Sequence, residues 1–265
     1  MTRRRLVPVL IAIATVLTCR PGFAQDSPFG TTDNSFLVEE AFNQERGIFQ
    51  NIFVFSRDKS GDWAGNFTQE WPVPAMRHQL SYSIPFDGGA GTPLHFGGVL
   101  LNYRYQVAEE GPGRPAFSPR VSLILPTGIQ DDDTDHTGIQ VNLPFSKREG
   151  RFYLHWNAGF TWLHDAELDD GQRASLTSPV LAGSVIWAAR PLFNLMLETV
   201  VAFNDNGVSH DTNVTLSPGF RWGWDRGDDR QIVIGLAVPA TFADSGNSGA
   251  ILTYFSYELP FTKNR

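Results

Sequence analysis

Arg151–Leu163 reads RFYLHWNAGFTWL, and its alternation decides the fold. Arg151, Tyr153, His155, Asn157, Gly159 and Thr161 share one face of an extended chain, and Phe152, Leu154, Trp156, Ala158, Phe160 and Trp162 share the other. Asn213–Asp225 (NVTLSPGFRWGWD) repeats the pattern. Asn213, Thr215, Ser217, Arg221 and Asp225 oppose Val214, Leu216, Phe220, Trp222 and Trp224. Near the C-terminus Ile251, Thr253, Phe255, Tyr257, Leu259 and Phe261 oppose Leu252, Tyr254, Ser256 and Glu258.

A soluble sandwich also alternates, so three further features are needed to choose. The first is aromatic spacing. Phe152 and Trp162 lie ten apart on one face, as do Phe193 and Phe203, and Trp63 and Trp71 lie eight apart. Ten residues of strand tilted about 40° rise roughly 25 Å, the height of the apolar band between the aromatic girdles of a membrane barrel. The second is the chemistry of the faces. Phe220, Trp222 and Trp224 would form a large exposed patch unless a second sheet or lipid covered them. The opposite face carries Arg221 and Asp225, which need water or charged partners.

The third is the rhythm of strands and connections. Twelve strand-like segments fall at about 47–56, 63–72, 76–86, 94–108, 116–127, 138–146, 151–163, 177–189, 192–203, 212–225, 230–239 and 250–261. Connections after odd strands, among them 130–137, 164–176, 204–211 and 240–249, read as long and mostly acidic. Those after even strands, 147–150, 190–191 and 226–229, read as short and flanked by basic residues, with 108–115 the exception. Long loops outside and short periplasmic turns inside are the asymmetry of outer-membrane barrels, and single-chain bacterial barrels have an even strand count. The expected fold is therefore an all-β, transmembrane, antiparallel up-and-down β-barrel of about twelve strands, occupying residues 45–265. Most prolines inside the pattern sit near strand ends, where missing ladder bonds are tolerated, but Pro119 and Pro218 do not and are read as bulges.

Composition agrees with this class. The chain has 265 residues, 42% hydrophobic and 12% aromatic, too apolar for a disordered chain. Its net charge of −7 argues against nucleic acid as the main partner, and its single Cys excludes a disulfide framework or a Cys-rich metal site. Arg3, Arg4 and Arg5 precede an apolar run, Leu6 to Thr18, and Gly22-Phe23-Ala24 offers a signal-peptidase site. Residues 1–24 are read as a signal peptide cleaved after Ala24. An uncleaved anchor and a lipoprotein modified on Cys19 are the competing readings, the latter disfavoured by Thr18. Four of the 21 basic residues and none of the 28 acidic ones leave with residues 1–24, so the mature chain carries −11 and no Cys. The longest later apolar run, Pro179 to Ala189, has eleven residues, half of what a spanning helix needs. Residues 25–44 are read as a periplasmic lead. Within it, Phe36 to Ala41 is either a short helix or a plug at the barrel mouth.

Several segments resemble one family. Asn43-Gln44-Glu45, Thr68-Gln69-Glu70-Trp71-Pro72, His78-Gln79-Leu80-Ser81-Tyr82, Leu101-Asn102-Tyr103-Arg104-Tyr105, Arg114–Arg120 (RPAFSPR) and Leu123–Gly128 (LILPTG) look like bacterial outer-membrane transporter barrels related to the phenol meta-pathway degradation proteins. The resemblance spans about 36–262 and is strongest over 101–128. It implies an outer-membrane barrel tied to uptake of small, often hydrophobic molecules, and brings no catalytic residue with it.

Sites were then sought residue by residue. Parity places Glu70, Arg120, Glu198, Arg221 and Glu258 in the lumen, and Arg104 joins them although its strand alternates poorly. These charges either line a selective path or form a paired network that fills a narrow barrel. Asp131, Asp132, Asp133 and Asp135 lack the Gly and distal Glu of a calcium loop and are read as a solvated acidic loop. His155 and His164 lack metal-binding spacing, so no metal and no cofactor is expected. Ser209-His210-Asp211 places neighbours on opposite faces of a strand, and no G-x-S-x-G occurs, so no enzyme is expected. The expected function is passive passage of a small, hydrophobic or aromatic solute. Its partners are outer-membrane lipid, lipopolysaccharide and the solute, and its location is the bacterial outer membrane. The alternatives are a structural or adhesive barrel with a blocked lumen, and an outer-membrane lipid hydrolase.

Overall fold

A computed structural model describes residues 35–128, 136–168, 171–205, 210–227 and 230–261. The expected signal peptide, Cys19 and the acidic run 131–135 lie outside these residues. Twelve antiparallel strands form one closed sheet, each paired with its neighbour in sequence. They are β1 (Ile48–Asp58), β2 (Trp63–Trp71), β3 (His78–Gly89), β4 (Thr92–Phe96 and Leu100–Tyr105), β5 (Ala116–Phe117 and Arg120–Ile124), β6 (Thr137–Glu149), β7 (Phe152–Glu167), β8 (Arg173–Arg190), β9 (Phe193–Asp205), β10 (His210–Asp225), β11 (Gln231–Ala237 and Ala240–Ala243) and β12 (Gly246–Pro260). β1 pairs with β12 along its whole length, from Ile48 opposite Pro260 to Asp58 opposite Ala250, and this closes the barrel. The twelve expected segments and the twelve strands coincide one for one.

Closure leaves no sheet edge, so the backbone is satisfied internally, as a bilayer requires. The outward side chains are apolar and exposed: Leu101, Leu123, Leu181, Leu197, Trp222, Ile234 and Ile251 are each 47–58% exposed. On a water-soluble protein that belt would have no partner; it is the outer face expected of a transmembrane barrel. Aromatics gather at both ends of the belt. At the end where β1 begins, Trp222 and Trp224 stack at 5.7 Å and Phe145 stacks on Trp156 at 5.8 Å. At the other end Phe55 stacks on Trp63 at 5.9 Å, and Trp63 meets Phe86 at 6.3 Å. The even-numbered strands deliver the chain to the first end through two-residue turns at 150–151 and 191–192. We call this the turn end and the opposite one the loop end.

Two details differ from the sequence pattern. Much of 164–176, 204–211 and 240–249 is paired strand rather than free loop: Asp205 still faces His210, and Ala243 still faces Gly246. Nothing in a ladder obliges it to stop where the bilayer does. Pro218 is no bulge, for β10 continues through it opposite Leu197. Its missing donor faces β11, where that strand is interrupted at 238–239; Val238 N still donates to Pro218 O at 3.0 Å. Pro119 does mark an interruption, between the two pieces of β5.

Candidate functional site: the occupied lumen

The inner face follows from the same period-2 rule. Tyr153, His155 and Asn157 of β7 are buried while Phe152, Trp156 and Phe160 are exposed to the outside. All six charged candidates point inward. Glu198, Arg221 and Arg104 are 0%, 1% and 2% exposed and Glu70 is 9% exposed, far too little for residues lining an open, water-filled pore at that level.

What buries them is the chain's own N-terminal segment. The part of the expected periplasmic lead that is described, residues 35–44, runs inside the barrel as an irregular chain with bends at 36–38 and 41. The segment is not helical. It touches the wall strand by strand. Gln44 N donates to Gln79 Oε1 on β3 at 2.8 Å, and Gln44 Nε2 donates to Glu258 on β12 at 2.9 Å. Ser118 Oγ on β5 donates to Ala41 O, and Ala41 N donates to Ser146 Oγ on β6, both at 2.7 Å. Asn157 on β7 grips Glu39 twice, accepting from its N–H and donating to its carbonyl, each at 2.8 Å. Glu198 on β9 accepts from Leu37 N at 2.8 Å and Val38 N at 3.1 Å. Ser35 reaches Ser184 on β8 at 2.9 Å. A buried peptide without helix or strand partners must satisfy its backbone groups through side chains, and these lumen residues supply them.

Arg104 is the centre of the polar clasp. Its guanidinium donates to Glu40 O at 2.9 Å, Phe42 O at 2.7 Å, Gln79 Oε1 at 2.9 Å, Asn43 Oδ1 at 3.1 Å and Glu39 Oε1 at 3.2 Å. All five of its donors are in place to be used. Arg120 holds the same carboxylate, donating from Nε to Glu39 Oε2 at 2.8 Å, and it also reaches Ser122 and Gln140. Asn142 Nδ2 completes the set on Glu39 at 2.6 Å. Glu70 accepts from Gln79 Nε2 at 2.7 Å. Arg221 sits against Asn194, whose amide oxygen, oriented by its neighbours, accepts at 3.0 and 3.2 Å.

The opposite wall holds an apolar cluster among its polar residues. Phe36 stacks on Tyr254 at 4.9 Å and packs with Ile52, Tyr153, Ile186, Met196, Val233, Ala237 and Leu252, all buried. Two glycines make room for its ring. A Cβ on Gly235 would meet Phe36 at 2.1 Å, and one on Gly219 would meet it at 3.2 Å. Toward the loop end the lumen is hollow. A cavity of about 300 Å³ lies above Leu37, walled by Val200, Thr215, Pro239, Thr241, Ala250 and Leu252, with Ser56 and Asp58 on the β1 side.

Phe36 and Glu39 fall in the stretch read from sequence as either a short helix or a plug, but Glu39 as the counter-charge of Arg104 and Arg120, and Gln79, Ser118, Ser146 and Asn157 as its holders, were missed. So was a buried pair, Ser146 Oγ to His155 Nδ1 at 2.7 Å. The hydroxyl of that pair already takes Ala41 N and the pair lies under the segment, so it anchors the segment. His164 lies on the outer face, stacked on Trp162 at 5.6 Å. Ser209 of the Ser-His-Asp run falls outside the described residues. Among the described residues no group of three or more His, Cys, Asp and Glu side chains is placed to hold a metal.

No protein-family model matches the chain, and no curated protein matches it in sequence. Solved structures do match in shape. An outer-membrane channel of the COG4313 group from Pseudomonas putida F1 superimposes with a TM-score of 0.61 at 11% identity, over 82% of this chain and 97% of that one. The NanC porin superimposes with a TM-score of 0.54 at 10% identity, over 79% of this chain and all of that one. At such identity the likeness is one of fold, the transmembrane barrel of outer-membrane proteins.

Proposed function

We propose that this protein is a gated outer-membrane channel for small, partly apolar solutes, closed in the state seen here by its own residues 35–46. The observation that carries the reading is the division of the lumen. A cavity of about 300 Å³ on the loop-end side stops on Leu37, and below it the segment fills the lumen. A barrel built only as a scaffold has no need of a cavity above a detachable segment. Passage is passive, because the chain offers no energy source. It requires the segment to move aside or to leave the turn end. The charged residues that hold the segment, Arg104, Arg120 and Glu198, then line the opened path together with Glu70, Arg221 and Glu258, and set its selectivity.

The same reading places the chain in the bacterial outer membrane after export and cleavage at Ala24. Lipid lies against the apolar belt, and lipopolysaccharide with its bridging cations lies against the acidic loop end. The solute class implied by the resemblance to the phenol meta-pathway barrels, small and hydrophobic or aromatic, suits the mixed lining of the cavity.

The test is electrical. The full mature chain and a chain lacking residues 25–44 are reconstituted into planar bilayers. The expected result is rare, brief openings for the full chain and sustained conductance for the truncated one. A truncated barrel that folds but passes neither ions nor solute overturns the channel reading. One observation would then favour a barrel with a permanently blocked lumen: the near-complete burial of Arg104 and Arg221.

A further inference from the structure

The loop-end cavity has a chemistry of its own. Among the described residues its lining contains no basic side chain and a single acid, Asp58, at the top of β1. The Asp58 carboxylate shapes the β1–β2 turn through one oxygen. Oδ1 accepts from Ser60 Oγ at 2.5 Å and from the N–H groups of Gly61 and Asp62 at 3.0 Å each. The N–H of Ser60 also bonds this carboxylate, whose solvent-exposed side is what a ligand would meet.

The hydroxyls nearby also favour a donor. Ser56 commits its proton to Ala64 O at 3.3 Å and so presents lone pairs, and Thr215 and Thr241 bond each other at 2.8 Å. The remainder of the wall is apolar, led by Leu37, Val200 and Leu252. The approach is acidic too. Asp62, Asp87, Asp165, Glu167 and Asp244 surround the loop end, against Arg57, Lys59 and Arg173 among the described residues. Such a rim concentrates cations and repels anions.

We propose that this cavity is an outward-facing binding site for a small organic ammonium compound, its charged nitrogen on Asp58 and its apolar body on Leu37, Val200 and Leu252. The inference rests on the channel reading for its purpose, since it names the solute class, but not for its detection. The size agrees: about 300 Å³ sits at the low end of ligand pockets, and an apolar cavity of about half that volume takes benzene, so one ring and a short arm fill it. Because Leu37 belongs to the closing segment, a bound ligand rests on the element that has to move.

The experiment compares three probes with the same ring: benzylamine, benzyl alcohol and benzoate. Each is titrated calorimetrically at pH 7 into the full mature chain in detergent micelles, with Asp58→Asn and Ala250→Trp alongside. The asparagine keeps the turn-forming oxygen, and the tryptophan fills the cavity. Benzylamine is expected to bind best and benzoate not at all. Asp58→Asn should weaken benzylamine measurably, as the loss of a solvent-exposed ion pair does, and leave benzyl alcohol unchanged. Ala250→Trp should abolish binding of both. Equal binding of the three probes, preference for benzoate, or an unchanged benzylamine affinity in Asp58→Asn overturns the site. So does an unchanged affinity in a folded Ala250→Trp, which would place the amine in the micelle. If Ala250→Trp does not fold, Asp58→Asn decides alone. A chain that binds the amine but never conducts keeps the site and loses the channel, so the two proposals fail separately.

Discussion

The two walls of the lumen hold the same segment by opposite means. From β3 to β7 the wall is polar, and Gln79, Arg104, Ser118, Arg120, Asn142 and Asn157 take up the backbone and the carboxylate of residues 39–44. From β8 round to β1 an apolar cluster of Ile186, Met196, Val233, Tyr254 and Ile52 receives Phe36, among polar side chains such as Ser184 and Glu198 that also bond the segment. The difference teaches how a detachable part can be held in one place. Hydrogen bonds fix its register along the polar wall, because each demands a particular atom. Burial of a ring supplies non-directional attachment on the other. A segment held by burial alone would slide, and one held by polar groups alone would compete poorly with water.

Arg104→Ala is the change expected to do most. It leaves the Glu39 carboxylate with Arg120 and Asn142 but without its buried partner, and it strands the carbonyls of Glu40 and Phe42. Removing one member of a buried charge pair costs about 3–5 kcal/mol. That loss should convert brief openings into long ones in planar bilayers and speed proteolytic clipping of the N-terminal segment. Unchanged gating and unchanged clipping would show that the polar wall does not hold the gate.

Phe36→Ala attacks the apolar wall. Loss of a buried Phe side chain costs about 3 kcal/mol. Openings should lengthen as in Arg104→Ala, but the salt dependence of gating should stay that of the unaltered chain. The two substitutions touch different walls, so their effects should add. Strong non-additivity would mean that the segment leaves as one unit and that the two walls are not independent.

Gly235→Ala sharpens the same point without touching the segment. Its Cβ would fall 2.1 Å from the Phe36 ring, so the ring must move. Overpacking of this kind costs about 1–3 kcal/mol. Pairing it with Phe36→Ala should remove the penalty, and a penalty that survives in the pair would place the strain in the sheet and not at the ring.

The barrel was far more legible in the sequence than the gate. Side chains in a strand alternate with a period of two, so Phe152–Trp162 and Val214–Trp224 declare their outer faces locally, and all twelve strands follow from that rule. The inward charges were legible for the same reason. The lumen segment was legible only in part: Phe36 to Ala41 read as either a short helix or a plug, because its conformation is set from outside itself. Residues 35–46, SFLVEEAFNQER, carry no period of two, and the path of 35–44 depends on side chains from around the barrel wall. Parity shows that Arg104 and Arg120 face inward, but Glu39, 65 and 81 residues away, cannot be paired with them by any local rule. The apolar wall was missed because Ile186, Met196 and Val233 obey the alternation while reversing the usual expectation of a polar lumen.

The smallest expected effect lies at the seam between the two walls. Glu198 stands where the apolar wall meets the segment backbone, and only its Oε1 is used, by Leu37 N and Val38 N. Its Oε2 is buried without a hydrogen-bond partner, as is Oγ of Ser217, its register neighbour on β10. In Glu198→Gln the remaining oxygen still accepts both amides, and the new amide group can donate to Ser217 Oγ, since facing side chains on one side of a ladder lie about 5 Å apart at Cβ. Losing the charge weakens two hydrogen bonds, and the gained bond offsets part of that, so the net change should be about 1 kcal/mol or less. Glu198→Ala removes the acceptor and leaves two buried amides unpaired, which costs about 1–3 kcal/mol for each. Open probability should therefore rise slightly for the glutamine and steeply for the alanine. Equal behaviour of the two variants would mean that the carboxylate charge, and not the acceptor atom, holds this end of the segment.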